Sequence, residues 1–576
     1  MKVSRSLAIR PALLLAVSCV AAAAVAGPPA ASEAKKPPRP RLTLSREVTF
    51  FTQPLAKDGL VDYAAALNER YGKGVTPENN AAVPILRALG RGSVSDESEP
   101  KFADLCRRLG IEPLPADGEY FVQLADFVDD LRGDFERDEA GTAKRLNTTR
   151  RRLREQFDRD DWYAVANRCA QAPWSPEEEP LVAAWLDRVE NPLDLLRQAG
   201  EKPHYFVPYH DNDDDAPLLG PFSVAIRTMR LVEAMRVRAM RSLADGNGQA
   251  AWDDVLSMRR WGGRACDAKT LIDQLIGTVL IRSANAAACT VAVKGKFDAP
   301  QLRKMQAEWA SIRPGPDLAE AFGVGERCFG LHALNLLHRA SLDPRWVASL
   351  GGIESPPPLD EHGSRWRRML VALVFDWDAA FKTLNRQYDK LAKIAALPTR
   401  RQRQDATLRY EDEIERLAAQ KANPYQWFSI ATLGHASRRT ALARYFAGSW
   451  IAAMVMPAIT ATIDREAESR MESVLVDVVF ALAQYHAIRG AYPEDLAGLT
   501  PTLLAHVPTD EFDGGKVKYA RTEDGGFLLY SVGRNGKDDG GRTDRPWVDT
   551  TVARDGDEPA EESDADDIVI RIGITR

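Results

Sequence analysis

The chain runs to 576 residues, 45% of them apolar and 27% charged, with a formal net charge of −6. That is an ordinary globular composition, long enough for about two to four domains. Lys2, Arg5 and Arg10 fall in the first 26 residues, so the remainder stands near −9, which argues against a polyanionic partner such as nucleic acid.

Those three cations precede an apolar run from Pro11 to Val25, and Ala24-Val25-Ala26 forms a small-x-small cleavage site before Gly27. Residues 1–26 read as a cleavable signal peptide, which predicts an extracytoplasmic protein, periplasmic or secreted. The apolar run is shorter than the roughly 20 residues a spanning helix needs, and no transmembrane span is expected after cleavage. A shorter cut would leave Cys19 of Ala16-Val17-Ser18-Cys19 as a lipid anchor. Ala16 stands where such motifs usually carry Leu, which favours ordinary cleavage.

Residues 27–45 are rich in Pro, Ala and Lys and read as an extended tether. Residues 46–440 read as an α-helical body with room for two subdomains. Leu60 to Tyr71 has helical spacing. Thr76-Pro77 predicts a helix start, with a hydroxyl cap and Pro at the first helical position. Ser175-Pro176-Glu177-Glu178 is a capping-box pattern ahead of an apolar helix through Leu186. The basic run from Lys144 to Arg154 lies between acidic stretches and predicts a helix face laced with ion pairs. Successive helical hairpins are expected over 222–312: Val224 to Leu243, Ala250 to Trp261, Leu271 to Val293 and Ala299 to Ile312. No 34-residue period accompanies them, so a plain helical array is preferred to a tetratricopeptide repeat. Long helices are expected over Leu359 to Ala396 and Arg400 to Ala422. Five cysteines follow the signal, none in a metal or haem spacing, and they read as buried thiols.

Residues 441–576 change texture. A helix is expected from about Tyr445 to Arg489, kinked at Pro457. Lys516 to Tyr519 and Phe527 to Tyr530 flank Glu523-Asp524-Gly525-Gly526, a hairpin signature, and Asp567 to Ile572 is a further strand. The acidic stretch near 542–562 reads as a disordered insertion. The predicted fold class is thus mainly α, with a C-terminal α+β unit of a long helix and a small antiparallel sheet.

Ordered elements here resemble a known family. Ala481 to His486 followed by Gly490-Ala491-Tyr492-Pro493, then Val507-Pro508-Thr509-Asp510, then Phe527 to Gly536 with Asp538-Asp539-Gly540-Gly541, and finally Asp566-Asp567-Ile568, resemble the C-terminal domain of type II secretion major pseudopilins, over about 100 residues. The Gly74 to Val83 segment resembles uncharacterised exported bacterial proteins. The pseudopilin resemblance implies a calcium ion pinning the loop after the second strand. Its ligands would be the Val532 carbonyl, Asn535 (where the family usually has Asp), and acids from Asp538, Asp539, Asp544 or Asp567. Hard oxygens of this kind suit Ca²⁺. The family's N-terminal processing motif is absent from the corresponding helix, so the chain is not expected to polymerise as a pilin.

Elsewhere the residues hold no P-loop, HExxH, GxSxG or dinucleotide fingerprint. His204 and His210, ahead of Asp211 and Asp213 to Asp215, form the densest polar cluster and read as a loop with an acidic tip. His332 and His338, six apart on a helix, fall on opposite faces. Asp376-Trp377-Asp378 is expected mid-helix. The functional expectation is an exported, non-catalytic scaffold with protein partners. The alternatives are an extracytoplasmic hydrolase, with or without a metal, acting around His210, and an accessory of a secretion or pilus-like apparatus.

Overall fold

A computed structural model describes residues 42–93, 99–159, 161–209, 222–312, 315–339, 376–419, 444, 447–448, 451, 456–543, 547–549 and 565–573. The expected signal peptide with Cys19, most of the expected tether, His210 to Asp215, the first part of the helix expected from Leu359, and Asp544 lie outside these residues. So does most of the stretch near 542–562.

The described chain is mainly helical, with a small sheet at its C-terminal end. The first helices are α1 (Tyr63–Tyr71), α2 (Ala82–Leu89), α3 (Glu99–Arg108), α4 (Leu124–Arg137), α5 (Glu139–Arg145), α6 (Arg150–Phe157), α7 (Trp162–Gln171), α8 (Pro180–Arg188) and α9 (Glu190–Glu201). The expected hairpins follow as α10 (Phe222–Ala244), α11 (Gly248–Ala265), α12 (Leu271–Lys294) and α13 (Ala299–Ala310). After them come α14 (Arg327–Arg339), α15 (Trp377–Ala395), α16 (Arg400–Ala419) and α17 (Met456–Arg489). Several starts are set by a short polar side chain accepting a first-turn amide: Asp62 from Ala65, Asp161 from Ala164, Asn247 from Ala250 and Thr270 from Asp273. Asp298 and Gln301 complete a reciprocal capping box ahead of α13.

Helices α10 to α13 pack around α12, which is apolar on nearly every side and buried along most of its length. One hydrophobic cluster extends from Ala81 through Trp309 and then takes in residues of α17 and the sheet, from Met471 to Ile572. A second joins Val48 to Leu67 with α14, α15, Tyr410, Ile414 and the start of α17 at Ile459 and Ile463. Helix α17 therefore belongs to both. Four buried tryptophans fix this packing, each with an acceptor for its indole N–H. Trp252 donates to Glu308 at 2.9 Å, Trp261 to Thr228 at 2.9 Å, Trp174 to the Val237 carbonyl at 3.1 Å, and Trp185 to the Val122 carbonyl at 2.9 Å. All five cysteines among the described residues are buried thiols. Two helices, Leu271–Lys294 and the Ala461–Arg489 part of α17, are long and apolar enough to cross a membrane, and both are mostly buried inside the protein.

The sheet holds β1 (Lys518–Arg521), β2 (Phe527–Ser531), β3 (Val548–Asp549) and β4 (Ile568–Ile572), in the order β1-β2-β4-β3. The first three neighbours are antiparallel and β3 runs parallel to β4 at the edge. Ile568, Ile570 and Ile572 alternate inward as their spacing predicts, and Phe527 and Leu529 share that core.

Four local expectations change. Helix α2 starts at Ala82 rather than Pro77, because Asn80 turns its side chain to the backbone of Phe206 and holds the preceding residues in a turn. The Ser175–Glu178 capping bonds form, yet the helix behind them starts at Pro180. Asp376 is not mid-helix: it caps α15, accepting from the Ala379 amide, while Asp378 accepts from the Thr43 amide. Helix α17 is described from Met456, and residues 452–455, ahead of the kink expected at Pro457, lie outside the described residues. Within the stretch near 542–562, Trp547 and Val548 are ordered by β4, with the Trp547 amide donating to Val569. The basic run behaves as expected: Arg145 pairs with Asp134, Arg151 with Glu155 and Arg154 with Glu139.

Candidate functional site

The loop that leaves β2 returns beside the start of β4, and the turn before β1 packs beneath it. Asp510, in that turn, is fully buried. It accepts from the Ser531 hydroxyl at 3.0 Å, the Val532 amide at 2.9 Å and the Phe512 amide at 2.9 Å. These bonds fix where the loop begins. At Gly533 the backbone takes a φ of +66°, and a Cβ there would meet the Asp566 carbonyl oxygen at 2.1 Å. Glycine is thus required for the loop to approach β4 so closely.

Of the residues singled out from sequence, Val532, Asn535, Asp538 and Asp539 lie on this loop and Asp567 stands at the start of β4, with different occupations. Val532 is buried and committed through its amide to Asp510. Asn535 donates from its side chain to Asp539 at 2.9 Å and accepts from the Lys537 amide at 2.7 Å, while its own amide reaches Asp566 at 3.1 Å. Asp538 accepts from the Tyr530 hydroxyl and the Gly540 amide, both at 3.0 Å. Asp567 is 3% exposed. Its Oδ2 accepts from the Gly541 amide at 2.8 Å, but its Oδ1 has no hydrogen-bond partner. Burial, with Asp538 and Asp539 nearby, raises the Asp567 carboxyl to about 6. Burial also raises Asp566.

A buried carboxylate oxygen with nothing to accept is the kind of group a hard cation satisfies. On that observation Asp567 fits calcium. Asn535 and Asp538 would have to exchange bonds they already make. Among the described residues no three His, Cys, Asp or Glu side chains stand together as a ready metal cluster, so an ion here would draw on backbone oxygens as well.

The histidine segment lies elsewhere. His204 forms a bridge to Asn80, and residues 203–207 with Tyr209 line a cleft of about 220 Å³ together with Tyr71, Arg264, Asp267 and Lys269. His332 and His338 are both buried in α14, and the His338 ring meets Trp377 edge-on at 4.8 Å. They are core residues. Asp510 and this cleft are the features sequence reading missed. The first was signalled only by its place in the Val507 to Asp510 turn. The second is built from three segments far apart in the chain.

No protein-family model, no curated protein and no solved structure matches this chain.

Proposed function

We propose that the protein is an exported, non-catalytic interaction scaffold: a helical array for protein partners, joined to a pseudopilin-like C-terminal unit that takes calcium in its glycine-rich loop. The reading rests chiefly on the last 120 residues, where a long helix packs on a small antiparallel sheet whose second strand runs into an acidic loop. The orphaned Oδ1 of Asp567 supports the calcium part. Asp567 and Asp539 would hold the ion with oxygens from Val532, Asn535 and Asp538, and it would act as a structural pin. For the scaffold, the support is the long helical body, whose successive helices α10 to α13 share one continuous core.

The test has two parts. Protein recovered from periplasmic and extracellular fractions should begin at Gly27, and material retained in the cytoplasm with residues 1–26 intact would overturn export. The mature chain should melt several degrees higher with calcium than with chelator, since a ligand at a hundredfold excess over its Kd stabilises by about 2.7 kcal/mol. Magnesium should substitute poorly, and Asp539→Ala with Asp567→Asn should remove the shift. Superimposable melts would sink the calcium assignment. Hydrolysis of ester, phosphate or peptide substrates that His204→Ala abolishes would replace the scaffold by an enzyme.

A further inference from the structure

The cleft beside His204 is built with unusual rigidity for a segment with no regular secondary structure. Asn80 brackets Phe206, donating to its carbonyl at 2.7 Å and accepting from its amide at 3.0 Å. Asn68 brackets Tyr209 in the same way, at 2.9 and 2.8 Å. The Ala81 amide adds a bond to the His204 carbonyl at 2.8 Å. Tyr205 is buried and meets Trp261 edge-on at 5.1 Å. One wall of the cleft is therefore fixed before any ligand arrives, which lowers the ordering cost of binding.

The opposite wall is the turn from α11 to α12, and it is cationic. Among the described residues the Lys269 ammonium meets no carboxylate and no hydrogen-bond acceptor. Its one partner is the ring of Tyr71, with Nζ 5.6 Å from the centroid. Arg264 stands at 3.4 Å from Asp267, a loose pair. It also lines a second cleft of about 450 Å³ with Arg260, Glu201 and Ser311, and Arg260 too has no partner among the described residues. Asp267 and Glu201 are the carboxylates on the cleft walls, and the other nearby acids are engaged elsewhere. Glu320 holds Tyr71 and Arg70, and Glu326 accepts the Leu271 amide at the start of α12.

An unpaired cation beside an aromatic face, opposite a preformed wall carrying Phe206, suits a flat group bearing a negative charge. We infer that these adjoining clefts bind a small aromatic phosphate or carboxylate, its anionic head between Lys269 and Arg264 and its ring against Tyr71 and Phe206. The inference is independent of the export and calcium reading: a scaffold can carry such a site, and the site stands if the scaffold reading fails.

Calorimetric titration of the mature chain with phenyl phosphate tests it, with inorganic phosphate and phenol as the two halves of the probe. Phenyl phosphate should bind more tightly than either half and weaken as salt rises. Lys269→Ala should weaken it about tenfold or more, the size of one charge-assisted bond, and Lys269→Arg should restore most of the affinity. Lys202→Ala, whose ammonium is held by the Glu78 carbonyl, should change nothing. Absence of heat at millimolar phenyl phosphate would overturn the site. So would equal affinity in a Lys269→Ala chain that melts like the parent, or equal affinity for inorganic phosphate.

Discussion

Three donors converge on the Asp510 carboxylate inside the turn that precedes β1, and none of them has another acceptor nearby. Asp510→Ala would leave the Val532 and Phe512 amides and the Ser531 hydroxyl buried without partners, at about 1–3 kcal/mol for each group that water cannot reach. The expected loss in denaturant unfolding is about 3 kcal/mol or more. Asp510→Asn keeps one accepting oxygen and should lose clearly less. Equal losses would mean that side-chain volume matters there and hydrogen bonding does not. Gly325 offers a second residue-scale test. A Cβ at that position would sit 1.6 Å from the Lys269 carbonyl oxygen, in the π-helical turn Ala321–Glu326 that leads into α14. Since the obstacle is backbone, it cannot swing aside as a side chain could. Gly325→Ala should cost about 2–3 kcal/mol, read from the same unfolding curves.

At the scale of elements, what was legible in the sequence follows a physical division. Helices α10 to α13 were readable because each carries its own periodicity and its own cap, as Asn247 and Asp298 show. The start of α2 was not, because the deciding bonds run from Asn80 to Phe206, 126 positions away. Strand β3 escaped for the same reason: two residues in an acidic stretch are ordered only by pairing with β4. Asp376 was misplaced because a helix cap and a mid-helix acid look alike when the preceding residues also have helical spacing. The candidate loop was partly legible, since its glycines and acids are consecutive. The orphaned oxygen of Asp567 depends on how β4 returns beside that loop, and no local pattern encodes it. A cap-level prediction belongs here. Asp298→Ala removes the acceptor for the Gln301 amide and half of the capping box. It should lower stability by about 1 kcal/mol, with amide exchange faster in the first turn of α13 than elsewhere.

Across the whole molecule, the two hydrophobic clusters meet along an ionic seam centred on α17. Glu466 takes Arg403 of α16 at 2.7 Å and Arg470 at 2.6 Å, and Arg470 reaches Glu511 ahead of β1 at 2.5 Å. Arg400 pairs with Asp464, and Arg534 of the acidic loop pairs with Glu468. Arg282 of α12 stands 3.3 Å from Glu468 and 2.7 Å from Glu472. Glu472 is 0% exposed, and neither of its oxygens has hydrogen-bond geometry to any partner. Burial outweighs Arg282 there, with Glu468 adding like charge, and pushes the Glu472 carboxyl up to about 8. Burial likewise raises Glu466 to about 7, against the pull of Arg403. Glu468 moves the other way: although burial raises it, Arg534, Arg465 and Arg282 together hold it low. The direction for stability follows from linkage. A carboxyl whose folded pKa lies above its unfolded value of 4.5 favours the folded state fully below 4.5, and loses that contribution as pH rises through its folded pKa. For Glu472 the window runs from about 4.5 to about 8, with a slope of at most about 1.4 kcal/mol per pH unit. Glu468 contributes with the opposite sign and below that window. The parent should therefore melt higher near pH 5.5 than near pH 8, beyond what its exposed carboxylates account for. Glu472→Gln keeps the shape of the side chain and removes the titration, and Arg282 retains Glu468. Its melting temperature should be higher than the parent's at pH 8, with the gap much smaller at pH 5.5 and closing only below about pH 4.5. A difference between parent and variant that stays constant from pH 5.5 to 8 would show that Glu472 does not titrate in this range, and that the seam holds it ionised throughout.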